Sequence, residues 1–177
     1  MEETENKMKK VAQFFKVSKE QFIKDWMDSF ENDTKEFAEQ LYEKIKLPKR
    51  ATTGSAGYDF YSPVTFILNP GETIKIPTGI RVRIDENWVL KCYPRSGLGF
   101  KFRLQLNNTV GIIDSDYYFS DNEGHIFSKI TNDSNEGKSV NIEEGTGFMQ
   151  GIFVEYGITV DDDATEIRNG GFGSTTK

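Results

Sequence analysis

Turn triplets cut the middle of the chain into pieces too short for helices. Asn69-Pro70-Gly71 and Pro77-Thr78-Gly79 separate residues 65–68, 73–76 and 80–84, the last an alternating Ile-Arg-Val-Arg-Ile. Proline and glycine at such intervals punctuate turns, and short runs of β-branched and alternating residues between turns read as strands. Residues 89–93, 104–106, 125–131, 139–142 and 151–156 continue the series. Short strands at this spacing predict a mainly β fold, a sandwich, jelly roll or barrel.

The chain has a different character before Leu47-Pro48. Phe22, Ile23, Trp26, Met27 and Phe30 recur at helical spacing. Ser18 with Gln21 forms a capping box, and Val17 with Phe22 fits a hydrophobic staple, so a helix starts near Lys19. Asp33 with Glu36 has the form of a second cap, opening a helix that carries Phe37, Leu41 and Tyr42. A shorter helical turn is expected around residues 8–15. The chain is thereby divided into a helical N-terminal extension over 1–46, a β domain over 47–167 and a C-terminal arm over 168–177. The arm begins Arg168-Asn169-Gly170-Gly171-Phe172-Gly173. Three glycines in six residues cannot pack a core, so the arm is expected to order only around a ligand.

A length of 177 residues suits one domain with a core and a small appendage. The net charge of −6 argues against general nucleic-acid binding, which demands a positive face, but not against a free nucleotide. The one cysteine, Cys92, allows no intramolecular disulfide and reads as a packed strand residue in a reducing compartment. No 18-residue apolar run and no signal-peptide core occur, so the expected location is the cytoplasm, without a membrane span. Asp161-Asp162-Asp163 reads as a solvated turn, since adjacent side chains on an extended chain do not converge.

Three stretches carry chemistry. In Tyr93-Pro94-Arg95-Ser96-Gly97-Leu98-Gly99 a strand runs into a glycine-rich turn. Its exposed N–H groups, the Arg95 fork and the Ser96 hydroxyl suit phosphate oxygens. In the stretch from Asn108 to Tyr117, Gly111 allows a hairpin whose main chain faces a planar base, and Asn108 can donate and accept at that base's edge. Asp114 follows Ile112 and Ile113, where a strand end meets the pocket, and can act as general base on a water. Tyr117 offers a flat face to a sugar. In the arm, Arg168, Ser174 and Thr175 surround glycines in a phosphate-binding pattern, and Phe172 suits stacking on a base. Each stretch alone also reads as an ordinary polar turn or linker; together they read as one nucleotide site.

These segments resemble the five motifs of the trimeric dUTPases. Ala56-Gly57-Tyr58-Asp59 is similar to the first, Pro94-Arg95-Ser96-Gly97 to the second, and Gly111 through Tyr117 to the third. Gly145-Thr146-Gly147-Phe148-Met149-Gln150 is similar to the fourth, and 168–175 to the fifth. The resemblance implies a distorted jelly roll and a homotrimer with interfacial sites, over which the fifth motif closes as a lid. It implies hydrolysis of dUTP to dUMP and pyrophosphate with magnesium (Mg2+) on the triphosphate. Asp114 would be the general base. Arg95, Ser96, Gly97, Gln150, Arg168, Ser174 and Thr175 would hold phosphates. Asn108, Gly111, Ile112, Ile113, Tyr117, Phe127 and Phe172 would hold uracil and deoxyribose, and Asp59 would meet the metal through water. Two departures stand out: Gly147 where the fourth motif often has arginine, and an insertion at 118–123 before Gly124.

Two other classes fit parts of the chain. A dCTP deaminase, or a bifunctional deaminase and diphosphatase, shares the implied fold but needs an acid or base at the cytosine amino group, and no glutamate stands in the base-reading stretch. A regulatory role, on DNA or on a protein, would use the N-terminal helices. Residues 1–46 hold nine lysines and no arginine against eleven acidic residues, which disfavours DNA. Those helices and the 118–123 insertion remain the places for a protein partner.

Overall fold

The computed structural model describes residues 8–171. Twelve strands, all paired antiparallel, form four small sheets among the described residues. In chain order they are β1 (Ala12–Lys16), β2 (Lys49–Arg50), β3 (Tyr58–Tyr61), β4 (Phe66–Leu68), β5 (Thr73–Pro77) and β6 (Ile80–Ile84). There follow β7 (Trp88–Pro94), β8 (Leu104–Leu106), β9 (Gly111–Ile113), β10 (Phe127–Asn132), β11 (Val140–Ile142) and β12 (Gly147–Glu155). The largest sheet runs β2-β3-β12-β7-β9; the others are β5-β10-β8, β11-β4 and β1-β6. Alternate residues of these strands are buried, for example Ile80, Val82 and Ile84 on β6 and Ser128, Ile130 and Asn132 on β10. The mainly β fold is the one that the turn punctuation predicts.

Two helices precede the β series: α1 (Lys19–Ser29) and α2 (Lys35–Lys44). Ser18 caps α1, its Oγ accepting from the Gln21 N–H at 3.1 Å, as expected. The second cap is Thr34, whose Oγ1 accepts from the Phe37 N–H at 3.1 Å. Asp33, the expected cap, is drawn off by the Trp26 indole, which donates to it at 2.8 Å. A buried indole N–H that lost this acceptor would be more costly than a cap exchanged between neighbouring residues. Phe22, Trp26, Ala38 and Leu41 are buried in the same core as the strands, and α1 packs on β5.

The helical turn expected around residues 8–15 is not formed; residues 12–16 are β1, paired with β6 through Phe14↔Val82. Phe14 and Phe15 point to opposite faces, as neighbours on a strand must. Phe14 meets the rings of Tyr58, Phe60 and Phe153 at 5.3–5.7 Å, and Phe15 meets Tyr118 at 5.9 Å. A helix would set the two rings about 100° apart and satisfy neither contact. Residues 96–102, read as a turn, form a third helix, α3 (Ser96–Phe102), ended by Arg103 in the left-handed conformation. Its two glycines disfavour a helix, but Leu98 and Phe102 pack against the core and hold it. No helix among the described residues is long and apolar enough to cross a membrane.

Candidate active site

A cleft of about 830 Å³ opens between β9, the 107–110 connection, the start of β10 and α1. Its floor is built by strand pairing. Gly111 on β9 faces Cys92 on β7, and a Cβ at residue 111 would come within 3.0 Å of the Cys92 Cβ. Glycine lets the two strands approach here, with Ile112 and Ile113 following along the wall. Cys92 itself is 2 % exposed, and burial pushes its thiol pKa up to about 12, so it is inert packing as predicted.

The connection over 107–110 is a turn but not a hairpin. β8 pairs with β10, and β9 pairs with β7, so the chain crosses from one sheet to another. Thr109 carries the left-handed conformation of this turn, at φ 67°, and its N–H donates to the Leu106 carbonyl at 2.8 Å. Asn108 reaches the cleft from this crossing.

Asp114 lines the cleft where β9 ends and begins a short 3-10 helix (Ser115–Phe119). Arg168 lies across it. The guanidinium Nη2 donates to Asp114 Oδ2 at 2.5 Å and Nε donates to Asp116 Oδ1 at 2.8 Å. One planar fork thus holds two carboxylates, a geometry arginine suits and lysine does not. Arg168 was expected among phosphates; here it joins the carboxylate group of its own chain.

Tyr117 is buried and lines the same cleft. Its hydroxyl donates to the His125 carbonyl at 2.7 Å and accepts from Asn122 Nδ2 at 2.9 Å. Burial raises the pKa of this phenol. The arm rests on the ring: a Cβ at Gly171 would lie 2.7 Å from Tyr117 Cε2. Phe127 opens β10 and forms another wall, its ring 4.7 Å from that of His125, with the Lys75 ammonium 5.5 Å above it.

The expected phosphate residues form a separate group. Arg95 precedes α3, and Ser96 and Gly97 make its first turn, whose N–H groups have no acceptor within the helix. Arg95 Nε pairs with Asp59 Oδ1 at 3.2 Å. Gln150 pairs with Asp59 on one side and Tyr93 on the other, and its Nε2 donates to the Pro94 carbonyl at 3.1 Å. A Cβ at Gly147 would come within 3.2 Å of Arg95 Cδ, so the Arg95 side chain packs over the position where the fourth motif often carries a larger residue. Asp59, Arg95, Ser96, Gly97 and Gln150 do not line the cleft. Within the sheet, Asp59 on β3 lies three strand steps from β9, about 14 Å, Gln150 on β12 lies two steps away, and Arg95 follows β7, the partner of β9.

Among the described residues no group of three or more His, Cys, Asp or Glu side chains could hold a metal ion. Magnesium keeps several waters and binds through one or two carboxylates plus substrate phosphates. Asp59, a lone carboxylate beside the Arg95 guanidinium, fits that donor pattern. Phe172, Ser174 and Thr175 lie outside the described residues.

Six polar or charged cleft residues escape the sequence reading: Asp25, Asp28, Lys75, Asn107, Asn122 and Lys129. Asp25 did leave a trace. It lies three residues after Phe22 and one before Trp26, a carboxylate on the buried side of an amphipathic helix. Such a group needs a partner, and it has one: Asp25 Oδ2 lies 2.5 Å from His125 Nδ1.

Known proteins are similar to this chain over most of its length. The family model for dUTPase matches residues 43–176. A deoxyuridine 5'-triphosphate nucleotidohydrolase of Lactococcus lactis is 43 % identical over 134 residues, 74 % of this chain and 88 % of that protein. One from Haemophilus influenzae is 39 % identical over 153 residues, 82 % of this chain and 97 % of its own. The crystal structure of the Streptococcus mutans dUTPase aligns with a TM-score of 0.57 at 36 % identity, covering 68 % of this chain and 91 % of that one. A mutant dUTPase of phage phi11 of S. aureus, described with a structural Mg(II) ion, shares the fold over 89 % of this chain and 98 % of its own, at a TM-score of 0.60 and 22 % identity.

Proposed function

This chain belongs to the dUTPase family, and from that premise we propose that it hydrolyses dUTP to dUMP and pyrophosphate. One observation carries the reading: Asp114 lines the same cleft as Asn108, Gly111 and Tyr117. A general base thus stands beside groups suited to a base and a sugar.

In this mechanism Asp114 takes a proton from a water and aims it at the α-phosphorus. The water oxygen bonds to phosphorus, the bond to the bridging oxygen of the β-phosphate breaks, and pyrophosphate leaves. Alignment and charge neutralisation supply most of the rate. The 107–113 segment reads uracil by main-chain and Asn108 hydrogen bonds, and a close wall at Ile112 and Ile113 excludes a thymine methyl. A site that leaves buried polar groups unpaired with the wrong base rejects it strongly. Tyr117 and Phe127 border the sugar, leaving no room for a 2'-hydroxyl.

Arg95, Ser96, Gly97 and Gln150 hold phosphate oxygens. Because these residues lie outside their own chain's cleft, they serve the cleft of a neighbouring copy, in a homotrimer with interfacial sites. Arg168 exchanges its carboxylates for phosphate oxygens when nucleotide enters, with Ser174 and Thr175, and Phe172 covers the uracil. Asp59 would hold magnesium through water, and the ion would supply charge neutralisation on the triphosphate.

The test is pyrophosphate release across deoxy- and ribonucleoside triphosphates, with and without magnesium, followed by product chromatography. Strong preference for dUTP with dUMP as product is expected. A uracil nucleotide formed from dCTP would turn the assignment to a deaminase.

A further inference from the structure

We infer that helix α1 positions the sugar-side wall of the cleft: Asp25, acting through His125, fixes the segment that carries Tyr117. His125 is fully buried. Its Nε2 accepts from the Gly79 N–H at 2.8 Å, so the ring proton sits on Nδ1 and is donated to Asp25 Oδ2 at 2.5 Å. Gln21, one turn earlier on α1, donates to the same Asp25 oxygen at 2.8 Å. The imidazole is therefore held on both nitrogens, one by the β5–β6 turn and one by the helix.

That hold passes to the cleft through main chain. The His125 carbonyl accepts the Tyr117 hydroxyl, and its N–H donates to the Asn122 carbonyl at 3.1 Å. Asn122 in turn donates to the Tyr117 hydroxyl and accepts from the Gly124 N–H at 3.1 Å. Gly124, at φ 70°, packs so closely that a Cβ would lie 2.6 Å from the Tyr117 carbonyl oxygen. The 118–123 insertion is tied to the same helix at its other end. Glu123 accepts from the Ser18 N–H at 2.7 Å and from its hydroxyl at 2.6 Å, at the cap of α1. Arg81 closes the frame, donating to the Tyr118 carbonyl at 2.6 Å.

Two features that the catalytic reading leaves unused, the N-terminal helix and the insertion, thus form one brace around Tyr117. Asp25 is a positioning residue for the reaction proposed above, on which its role depends. Side chains that set a binding wall must themselves be locked by a supporting shell, or the wall loosens and discrimination falls. The reading predicts an effect on nucleotide binding and sugar choice rather than on the chemical step.

The experiment compares wild type, Asp25→Ala, Asp25→Asn and Ser18→Ala. Steady-state kinetics with dUTP give KM and kcat, and calorimetry gives the affinities of dUMP and UMP. Asp25→Ala should raise KM about tenfold and narrow the dUMP-over-UMP preference by a similar factor, with kcat changed less than about threefold. Asp25→Asn should restore both to within about twofold, because an amide oxygen still accepts the Nδ1 proton. Should Asp25→Ala fail to melt cooperatively, Ser18→Ala decides, with the same shift at about threefold. Wild-type KM and sugar preference in a folded Asp25→Ala or Ser18→Ala, or an Asp25→Asn as impaired as the alanine variant, overturns the role of α1. A wild type that neither cleaves dUTP nor binds dUMP brings down the functional reading instead.

Discussion

The two halves of the site are built by opposite means. The cleft proposed for base and sugar is walled by paired strands, a buried helix face and a hydrogen-bonded loop, and its polar groups hold one another. Tyr117, Asn122, His125 and Asp25 form an unbroken chain from the cleft to α1. The residues proposed for phosphate lie at a sheet end and a helix start, with Arg95 about half exposed and held by one carboxylate and a carbonyl. Choosing a base requires rigid walls, since a loose pocket cannot reject a methyl or a hydroxyl. Holding a flexible, highly charged triphosphate requires donors that can follow it. In the proposed assignment, interlocked groups therefore sit where discrimination is made and more exposed ones where charge is handled.

Three variants would break or sharpen that contrast. Asp114→Asn acts at the junction of the halves. It should lower kcat by about 10²–10⁴-fold and leave the dUMP affinity within about threefold; retained turnover would remove Asp114 as the base. Removing residues 168–177 should cost about 10²-fold in kcat/KM by stripping donors from the phosphate half. Its melting temperature should move little, since Arg168 and Gly171 rest on the surface of the cleft. Full activity in the shortened chain would separate the arm from the reaction.

The third and smallest effect belongs to the rigid half. Burial pushes the Glu123 carboxyl up, but the two hydrogen bonds from Ser18 and the charge of Arg81 outweigh it and hold its pKa below the ordinary 4.5. A carboxyl lowered in the folded state stabilises the fold above its unfolded pKa and loses that contribution as pH falls through the folded value. Glu123→Gln should therefore cost about 1 kcal/mol at neutral pH, and the gap to wild type should close below the ordinary carboxylate range. Chemical denaturation at pH 7 and pH 3 measures it; a gap that persists at the lower pH would place the effect in packing rather than charge.

Legibility in the sequence follows the same division. A strand with clean alternation, such as β6, and the Ser18 cap are readable because local pattern and tertiary demand agree. β3 is missed because Tyr58-Asp59-Phe60-Tyr61 buries only Phe60 fully and shows no alternation. β1 is missed because adjacent phenylalanines look alike to either period. α3 is hidden by its glycines and exists through Leu98 and Phe102. Within the site, the segments around Asp114 and Tyr117 are visible as motifs. Their brace is not, since Asp25 and His125 are a hundred residues apart and only folding brings them together. The separation of Arg95 from the cleft is equally invisible, because chain order says nothing about which face a strand end presents.

The state of Cys92 has a practical consequence. The only sulfhydryl of the chain is sealed behind the floor of the cleft and keeps its proton across the working range of alkylating reagents. A cysteine introduced on the C-terminal arm would thus be the sole target for a fluorophore. The proposed closure of the arm over nucleotide could then be tested in the otherwise native sequence, with no background label to subtract.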